Sequence, residues 1–270
     1  MASYVLPSHR QGDAPRLNRQ HYVFLRLFSH LSHPLPPSFS GTILDLGAGT
    51  GIWASEMASL HPLSKITGLD LHLPSATAPP NCTFGTLDAE KEWGVESNTF
   101  DIVHTRATMI LLKRDEHERI VGEMFRVLKP GGWIELQELE CPFVEEDGKE
   151  TATIRFMRLW GEGAAKLGLD LALPRRLDGL LRDAGFEEVG GTWHNLPVGG
   201  WMGGEMQWVG EEFKECLKGG IEGIGRTVLM KGLGWEEGEM KRFSKEVTGD
   251  LGTGKVFARM RVVRGRKPLL

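Results

Sequence analysis

Three glycines, each two residues from the next, separate a short apolar strand from an amphipathic helix in the first quarter of the chain. The run Thr42–Leu46 has the length and composition of a buried strand, and Asp45 lies at its end. Gly47, Gly49 and Gly51 follow, and the next segment repeats apolar residues at helical spacing. A strand, a glycine turn and a helix in this order are typical of α/β proteins whose turn lies against a ligand.

The spacing of these glycines differs from that of the dinucleotide-binding motif. The motif GxGxxG requires a glycine at position 52, which is occupied by Ile52. The acidic residue at the strand end, Asp45, is an addition that the dinucleotide motif does not require. The loop therefore favours a ligand with a positive centre and no pyrophosphate. A purely structural turn is the alternative for a motif of this kind taken alone.

Further strands alternate with helices along the chain. Alternating strands and helices require crossover connections, which produce a parallel sheet. We therefore predict an α/β fold with a Rossmann-like, doubly wound sheet of seven mostly parallel strands. The six strands predicted after the first one span residues 65–69, 82–85, 100–104, 133–136, 186–189 and 256–263.

Acidic residues follow two of these strands. Asp70 ends the second predicted strand, where a carboxylate can accept both hydroxyl groups of a ribose. Asp88 and Ala89 follow the third strand, where an acidic side chain can accept a hydrogen bond from an adenine amino group. Together with Asp45, these residues place three carboxylates at successive strand ends, which indicates a binding site at that edge of the sheet.

The length of 270 residues fits one domain, 1–270. We predict an N-terminal helical cap at 1–38, a cofactor-binding core at 39–190, an insertion at 190–255 and a final strand at 256–267. Glycine accounts for 35 of the 270 residues, against roughly 7% in average proteins, and about half of the glycines lie in the insertion. This glycine-rich C-terminal insertion is predicted to be irregular and partly helical, to lie outside the sheet, and to form a pliable lid over the substrate.

Charge and cysteine content exclude several classes of function. The net charge of −4 argues against nucleic acid as a partner. The three cysteines are isolated, so neither a disulfide framework nor a metal site is predicted. No apolar run approaches the length of a membrane span, so we expect no membrane partner and a cytoplasmic location.

Five segments together resemble the class I S-adenosylmethionine-dependent methyltransferases: ILDLGAGTGIWA, GLDL, LDAE, FDIVHTR and VLKPGGWIELQE. The segments Tyr4-Val-Leu-Pro, Arg16-Leu-x-x-Gln20-His21, WIELQE and Gly265-Arg-Lys-Pro further resemble the fungal LaeA-like methyltransferases. This resemblance implies S-adenosylmethionine as the cofactor. It also implies methyl transfer to an oxygen or nitrogen of a small-molecule acceptor in fungal secondary-metabolite biosynthesis.

The resemblance also implies roles for individual residues. The three loop glycines would cradle the methionine part of the cofactor above Asp45, Asp70 would hold the ribose, and Asp88 with Ala89 would hold the adenine. The end of the fourth strand would face the sulfonium and the methyl acceptor, with Thr105 on the cofactor. The residues implied at that strand end are His104, Thr105 and Arg106.

Methyl transfer needs a general base only if the acceptor carries a proton, because the leaving group is already activated. His104 and His21 are the candidate bases, with a structural histidine as the alternative for each. Arg106 is predicted to anchor a substrate carboxylate, with a buried salt bridge as its alternative. Tyr4 is a candidate for the wall of an apolar acceptor pocket.

Two other functions fit the same motifs. One is a LaeA-like regulator that acts through protein partners and is located in the nucleus. The other is a methyltransferase-fold protein with a non-methylating activity. The chain lacks a nuclear-localisation-type run of Lys and Arg, and this favours the biosynthetic enzyme.

Overall fold

The computed structural model describes residues 13–28, 35–36, 38–74 and 77–269. The described strands are β1 (Thr42–Leu46), β2 (Lys65–Asp70), β3 (Cys82–Thr86), β4 (Phe100–Arg106), β5 (Leu128–Glu145), β6 (Glu187–Pro197) and β7 (Val256–Arg266). The described α-helices are α1 (Ala14–Phe28), α2 (Ile52–Leu60), α3 (His117–Val127), α4 (Ala152–Lys166), α5 (Leu177–Asp183), α6 (Gly204–Gly225) and α7 (Glu237–Asp250).

All seven strands form one sheet in the order β3-β2-β1-β4-β5-β7-β6. The first five strands are parallel, and β7 runs antiparallel to both of its neighbours. The predicted doubly wound, mostly parallel sheet of seven strands is therefore confirmed. The order reverses direction between β1 and β4, and open α/β sheets bind ligands at this kind of position.

Successive residues of β1 pack into different layers of the core. Ile43 joins a cluster with Trp53 and Met57 of α2, whereas Leu44 joins the larger cluster that contains Ile120 and Met124 of α3. Because adjacent strand residues point to opposite faces, a strand covered on both faces must be apolar throughout. This accounts for the continuous apolar run that precedes the glycine loop.

The C-terminal third of the chain departs from the prediction. The expectation that 190–255 lies outside the sheet was wrong for residues 190–197, which belong to β6 and pair with β7. A Cβ atom on Gly191 would lie 1.9 Å from the carbonyl oxygen of Val262, so the two strands approach closely only because this residue is glycine. The later glycines did not prevent the formation of α6, a π-helical turn at Arg226–Gly232, and α7.

Helix α1 lies over the carboxyl edge of the sheet and packs against α6. It buries His21, Val23, Phe24 and Phe28. This packing places one face of α1 above the glycine loop. Among the described helices, none combines the length and the apolar character needed to cross a bilayer.

Candidate active site

The glycine loop follows β1 and leads into α2. Gly47, Gly49 and Gly51 have φ values of +75°, +59° and +84°, which L-residues with side chains rarely adopt. The backbone N–H groups of Gly47 and Ala48 donate to the carbonyl of Leu69 over 2.8 and 3.1 Å, which holds the loop against the end of β2. The sequence-predicted strand, turn and helix therefore lie where the spacing placed them.

A cavity lies between this loop, α1 and the carboxyl ends of β1, β2 and β4. Its wall contains most of the residues that were predicted to form the site. These are His21, Asp45, Gly47, Gly49, Asp70, His104 and Arg106. Residues that are distant in the sequence thus meet at one edge of the sheet.

Four predicted cofactor residues lie outside the wall of this cavity. Gly51 precedes α2 and lies against the ring of Phe84. Thr105 is fully buried within β4. Asp88 accepts a hydrogen bond from the N–H of Glu90 at 3.0 Å, and Ala89 is buried beside it. Their roles toward the cofactor stay predictions.

The remaining predicted site residue, Tyr4, lies outside the described residues. Its assignment to the acceptor pocket therefore also stays a prediction. Within the described ranges, no group of three or more His, Cys, Asp or Glu side chains is arranged to hold a metal ion.

Asp45 and His104 face each other across β1 and β4, where they are register partners. The Nδ1 atom of His104 lies 2.8 Å from Oδ1 of Asp45, and a carboxylate oxygen accepts, so Nδ1 donates. The ring of Trp53 stacks on the imidazole of His104 with 3.7 Å between ring centroids and 3° between planes. Asp45 is thus held in one orientation by a buried, stacked histidine.

The two oxygens of Asp45 differ in their hydrogen bonding. Its Oδ2 atom is buried and makes no hydrogen bond to any part of the chain that the structure describes. A buried carboxylate oxygen is costly without a donor, and a cationic donor stabilises it most strongly. Since Asp45 lines the cavity, this oxygen suits a ligand with a positively charged group.

His21 forms a chain of hydrogen bonds from α2 to β4. Arg106 Nη2 lies 2.8 Å from Nδ1 of His21, and Nε2 of His21 lies 2.9 Å from a carboxylate oxygen of Glu56. A guanidinium can only donate, so Nδ1 accepts and Nε2 carries the proton. Burial, reinforced by the positive charge of Arg106, lowers the pKa of His21. His21 is therefore neutral with both ring nitrogens engaged, and this geometry leaves it no free lone pair for a base.

Most N–H groups of the Arg106 guanidinium make no hydrogen bond within the described part of the chain. Among the described residues, its side-chain hydrogen bond is the one to His21, and its guanidinium also lies 5.4 Å from the centre of the Phe24 ring. Burial lowers the pKa of Arg106 to about 10, although nearby carboxylates such as Asp45 act in the opposite direction. The group stays charged at neutral pH, and its remaining N–H groups can bind a carboxylate of a ligand.

Asp70 connects the second strand to the glycine loop. Its Oδ2 atom accepts the N–H of Gly49 at 2.8 Å, and its Oδ1 accepts the N–H of His72 at 3.2 Å. Asp70 therefore shapes the loop and also lines the cavity. The predicted contact with a ribose stays a prediction.

Sequence reasoning missed two parts of the site. Glu56 was not singled out, although its position three residues after Trp53 places both on one face of α2. Trp53 was not singled out for the site either, and it is both buried and stacked on His104. A side chain with this double role gives the same apolar signal in the sequence as an ordinary core residue.

Comparisons with known proteins agree with this geometry. The family model described as a methyltransferase domain matches residues 18–189, which is more than half of the chain. The methyltransferase pytC of Aspergillus terreus is 29% identical over 246 residues, covering 88% of this chain and 74% of pytC. The secondary metabolism regulator laeA of Aspergillus flavus is 26% identical over 277 residues, covering 98% and 73% of the two chains.

Solved structures share the fold at low sequence identity. A phosphoethanolamine N-methyltransferase of Haemonchus contortus, in complex with S-adenosylhomocysteine, has a TM-score of 0.55 at 18% identity. That match covers 93% of this chain but only 52% of the nematode chain, so this chain spans about half of its length. The [4+2]-cyclase SpnF has a TM-score of 0.52 at 21% identity, covering 97% of this chain and 84% of SpnF.

The predicted resemblance to the class I S-adenosylmethionine-dependent methyltransferases is therefore confirmed. The family match over residues 18–189 includes the glycine loop and the ends of β1, β2 and β4 that surround the cavity. The chain belongs to the methyltransferase domain family.

Proposed function

We propose that this chain transfers the methyl group of S-adenosylmethionine to an oxygen or nitrogen of a small molecule in fungal secondary metabolism. The observation that carries the proposal is Asp45, whose Oδ1 is bound by His104 while its buried Oδ2 has no donor among the described residues. Fungal relatives named for methyl transfer and for secondary metabolism support the substrate class. The proposed acceptor is a small molecule, and protein partners belong to the alternative considered below.

The residues of the cavity fit this cofactor. S-adenosylmethionine carries a cationic ammonium group and a sulfonium, and Asp45 offers the carboxylate oxygen that such charges require. Gly47 and Gly49 leave bare backbone beside it for the methionine part. Asp70 at the end of β2 would accept from the ribose, and Asp88 with Ala89 after β3 would hold the adenine.

The bound cofactor supplies a methyl group on a positively charged sulfur, which is already a good leaving group. The chain's own contribution is to position the acceptor and to remove a proton where the acceptor carries one. His104 donates from Nδ1 to Asp45, so its Nε2 keeps a free lone pair. His21 has none. We therefore assign the base to His104, and to Arg106 the binding of an acceptor carboxylate.

We also propose for His21 a role that differs from the predicted one. It lies between Glu56 of α2 and Arg106 of β4, and it directs the guanidinium by accepting one of its N–H groups. His21 therefore acts as a positioning residue for Arg106. This role explains why a buried histidine on α1 has no free ring nitrogen.

A deletion strain of the source organism tests the proposed function. An enzyme of biosynthesis leaves one family of metabolites without a methyl group, and these accumulate as unmethylated precursors. Reintroducing the wild-type chain restores the methylated products, whereas a chain with Asp45→Asn does not. Unchanged metabolites in the deletion strain contradict the proposal.

A LaeA-like regulator is the second candidate, because the match to laeA covers nearly the entire chain. In that case deletion changes the amounts of many unrelated metabolites, and no unmethylated precursor accumulates. The chain would act through protein partners in the nucleus. The third candidate is a non-methylating activity on the same fold, and the cyclase SpnF shares only the fold with this chain. In that case the precursor that accumulates in the deletion strain differs from the product by a change other than a methyl group.

A further inference from the structure

Glu138 is a buried carboxylate that the proposed reaction does not use. It lies on β5, its side chain is fully buried, and it accepts backbone N–H groups from Thr108 at 3.1 Å, Met109 at 2.9 Å and Ile110 at 3.5 Å. In the described part of the chain no Lys or Arg forms an ion pair with it. Its partner across β5 and β7 is Arg261, which binds both oxygens of Asp178 at 2.7 and 2.8 Å.

The backbone that Glu138 binds is a wall of the cavity. The segment 107–111 follows β4 directly, and Ala107, Thr108 and Leu111 line the cavity. Ala107 has a φ of +50°, a conformation that costs energy for a residue with a Cβ atom. A strained segment of this kind persists only where its surroundings hold it in place.

The same segment lies against the glycine loop. A Cβ atom added to Gly47 would lie 2.2 Å from Oγ1 of Thr108, so the loop and the segment 107–111 are in close contact. A shift of Thr108 would therefore alter the position that Gly47 gives to the cofactor. Glu138 is the side chain that binds the N–H of Thr108 and of the residue after it.

We propose that Glu138 is a positioning residue that holds the segment 107–111 in the conformation required for binding S-adenosylmethionine. This inference rests on the proposed function, since it concerns the same cofactor cavity. Converging N–H groups match a carboxylate, which only accepts hydrogen bonds. A glutamine at this position would keep one accepting oxygen for Thr108 and Met109, but its NH2 group would face the N–H of Ile110 and the negative charge would be lost.

The burial of Glu138 is costly for its charged form. Burial raises the pKa of Glu138 to about 7, while the three backbone N–H groups act in the opposite direction by binding the charged form. A carboxylate in such a place is expensive, and an apolar residue would be more stable in the core. The hydrogen bonds to the segment 107–111 are the function that the structure shows for it.

Calorimetric titration with S-adenosylhomocysteine tests this role. At about pH 8, where Glu138 is ionised, we expect Glu138→Gln to weaken binding about tenfold, because the hydrogen bonds to the segment lose the negative charge of their acceptor. Glu138→Asp keeps a carboxylate, and we expect it to lose less affinity than Glu138→Gln. Glu140→Gln is the matched control, since Glu140 is equally buried on β5 but binds Arg175 and Arg259 instead of the segment.

Amide hydrogen exchange separates positioning from general stability. In Glu138→Gln we expect the amides of Thr108 and Met109 to exchange about tenfold faster than in the wild type. In Glu140→Gln we expect these two amides and the affinity for S-adenosylhomocysteine to stay within about twofold of the wild type. If Glu138→Gln does not fold, the affinity for S-adenosylhomocysteine and the amide exchange rates are measured on Glu138→Asp instead.

The possible outcomes are distinct. If the wild type binds S-adenosylhomocysteine and both Glu138 variants bind it equally well, the inference is overturned and the proposed function is unaffected. An equal loss of affinity in Glu140→Gln also overturns it, because the effect would then be one of stability. If the wild type does not bind S-adenosylhomocysteine, the proposed function fails and this inference fails with it.

Discussion

The part of the cavity proposed to bind the methyl donor and the part proposed to bind the acceptor are built in different ways. We call them the donor side and the acceptor side. The donor side consists mainly of backbone, and its glycine loop, strand end and Asp70 lie within 26 residues of one another at 45–70. The acceptor side consists of side chains from three elements, and its central pair, His21 and Arg106, is separated by 85 positions in the sequence. Local spacing therefore specifies the donor side, whereas tertiary packing creates the acceptor side.

The largest effect is expected at the donor loop. Gly49→Val places a β-branched residue at a φ of +59° within the cavity wall, and we expect at least about a hundredfold loss of affinity for S-adenosylhomocysteine. Gly148→Val is the control, because Gly148 also has a positive φ of +67° but has open space around it. Both variants should lose similar stability, about 1–2 kcal/mol. Equal affinity in the two variants, measured by calorimetry, would contradict the assignment of the loop.

The next prediction separates the two histidines of the acceptor side. At saturating donor, we expect His104→Ala to lower the initial rate of methyl transfer about a hundredfold, the usual contribution of a general base. We expect His21→Ala to lower the rate less than about tenfold, because both nitrogens of His21 are already engaged. The measurement is the transfer of an isotope-labelled methyl group into a fungal metabolite extract. A larger loss in His21→Ala reverses the assignment.

A smaller loss of affinity is expected when the negative charge of Asp45 is removed. Asp45→Asn keeps the size of the side chain but removes its negative charge, and we expect about a thirtyfold weaker binding of S-adenosylhomocysteine. Asp101→Asn is the matched control, since Asp101 lies at the amino end of the sheet, where it binds Thr42 and Lys129. We expect its affinity for S-adenosylhomocysteine to equal that of the wild type. An equal loss of affinity in the two variants would show that Asp45 stabilises the fold and does not bind the cofactor.

The smallest effect concerns pH and Glu138. The pKa of Glu138 is about 7 in the folded chain against an ordinary value of 4.5, so the folded chain holds a proton that the unfolded chain releases. This contribution to stability is present below the unfolded pKa and is lost as the pH rises through the folded pKa. We expect the free energy of unfolding of the wild type to fall by about 1.5 kcal/mol relative to Glu138→Gln between about pH 5.5 and about pH 7.

Urea unfolding of both proteins at the two pH values measures this difference. The comparison with Glu138→Gln removes the contributions of the other titrating groups, provided that both proteins unfold in one step. A difference that is constant between these two pH values would mean that the pKa of Glu138 in the folded chain is not raised above its ordinary value.

The parts of the molecule that the sequence predicted are those with a local signal. The loop at Gly47–Gly51 and the seven strands follow from spacing and apolar runs within short segments. The extent of β6 was not predictable, because Gly190 and Gly191 weaken a strand signal unless the close approach of β7 is known. A glycine that permits contact looks the same in the sequence as a glycine that ends a strand.

The site was predicted residue by residue but not as a network. His21, His104 and Arg106 were all selected, yet the hydrogen bonds that distinguish their roles depend on how α1 packs over β4. Glu138 carried no local signal either, since a glutamate in a strand is usually read as a solvent-facing residue. Its burial and its partners follow from the position of the segment 107–111, which only the assembled sheet defines.

The most direct test of the central claim is the transfer of a labelled methyl group from S-adenosylmethionine by the purified chain. The acceptors are supplied as a small-molecule extract of the source organism, freed of protein, and the products are identified by mass spectrometry. We expect a labelled small molecule with the wild type and at least about tenfold less with Asp45→Asn. If the wild type binds the donor but labels no small molecule, methyl transfer to a small molecule is contradicted.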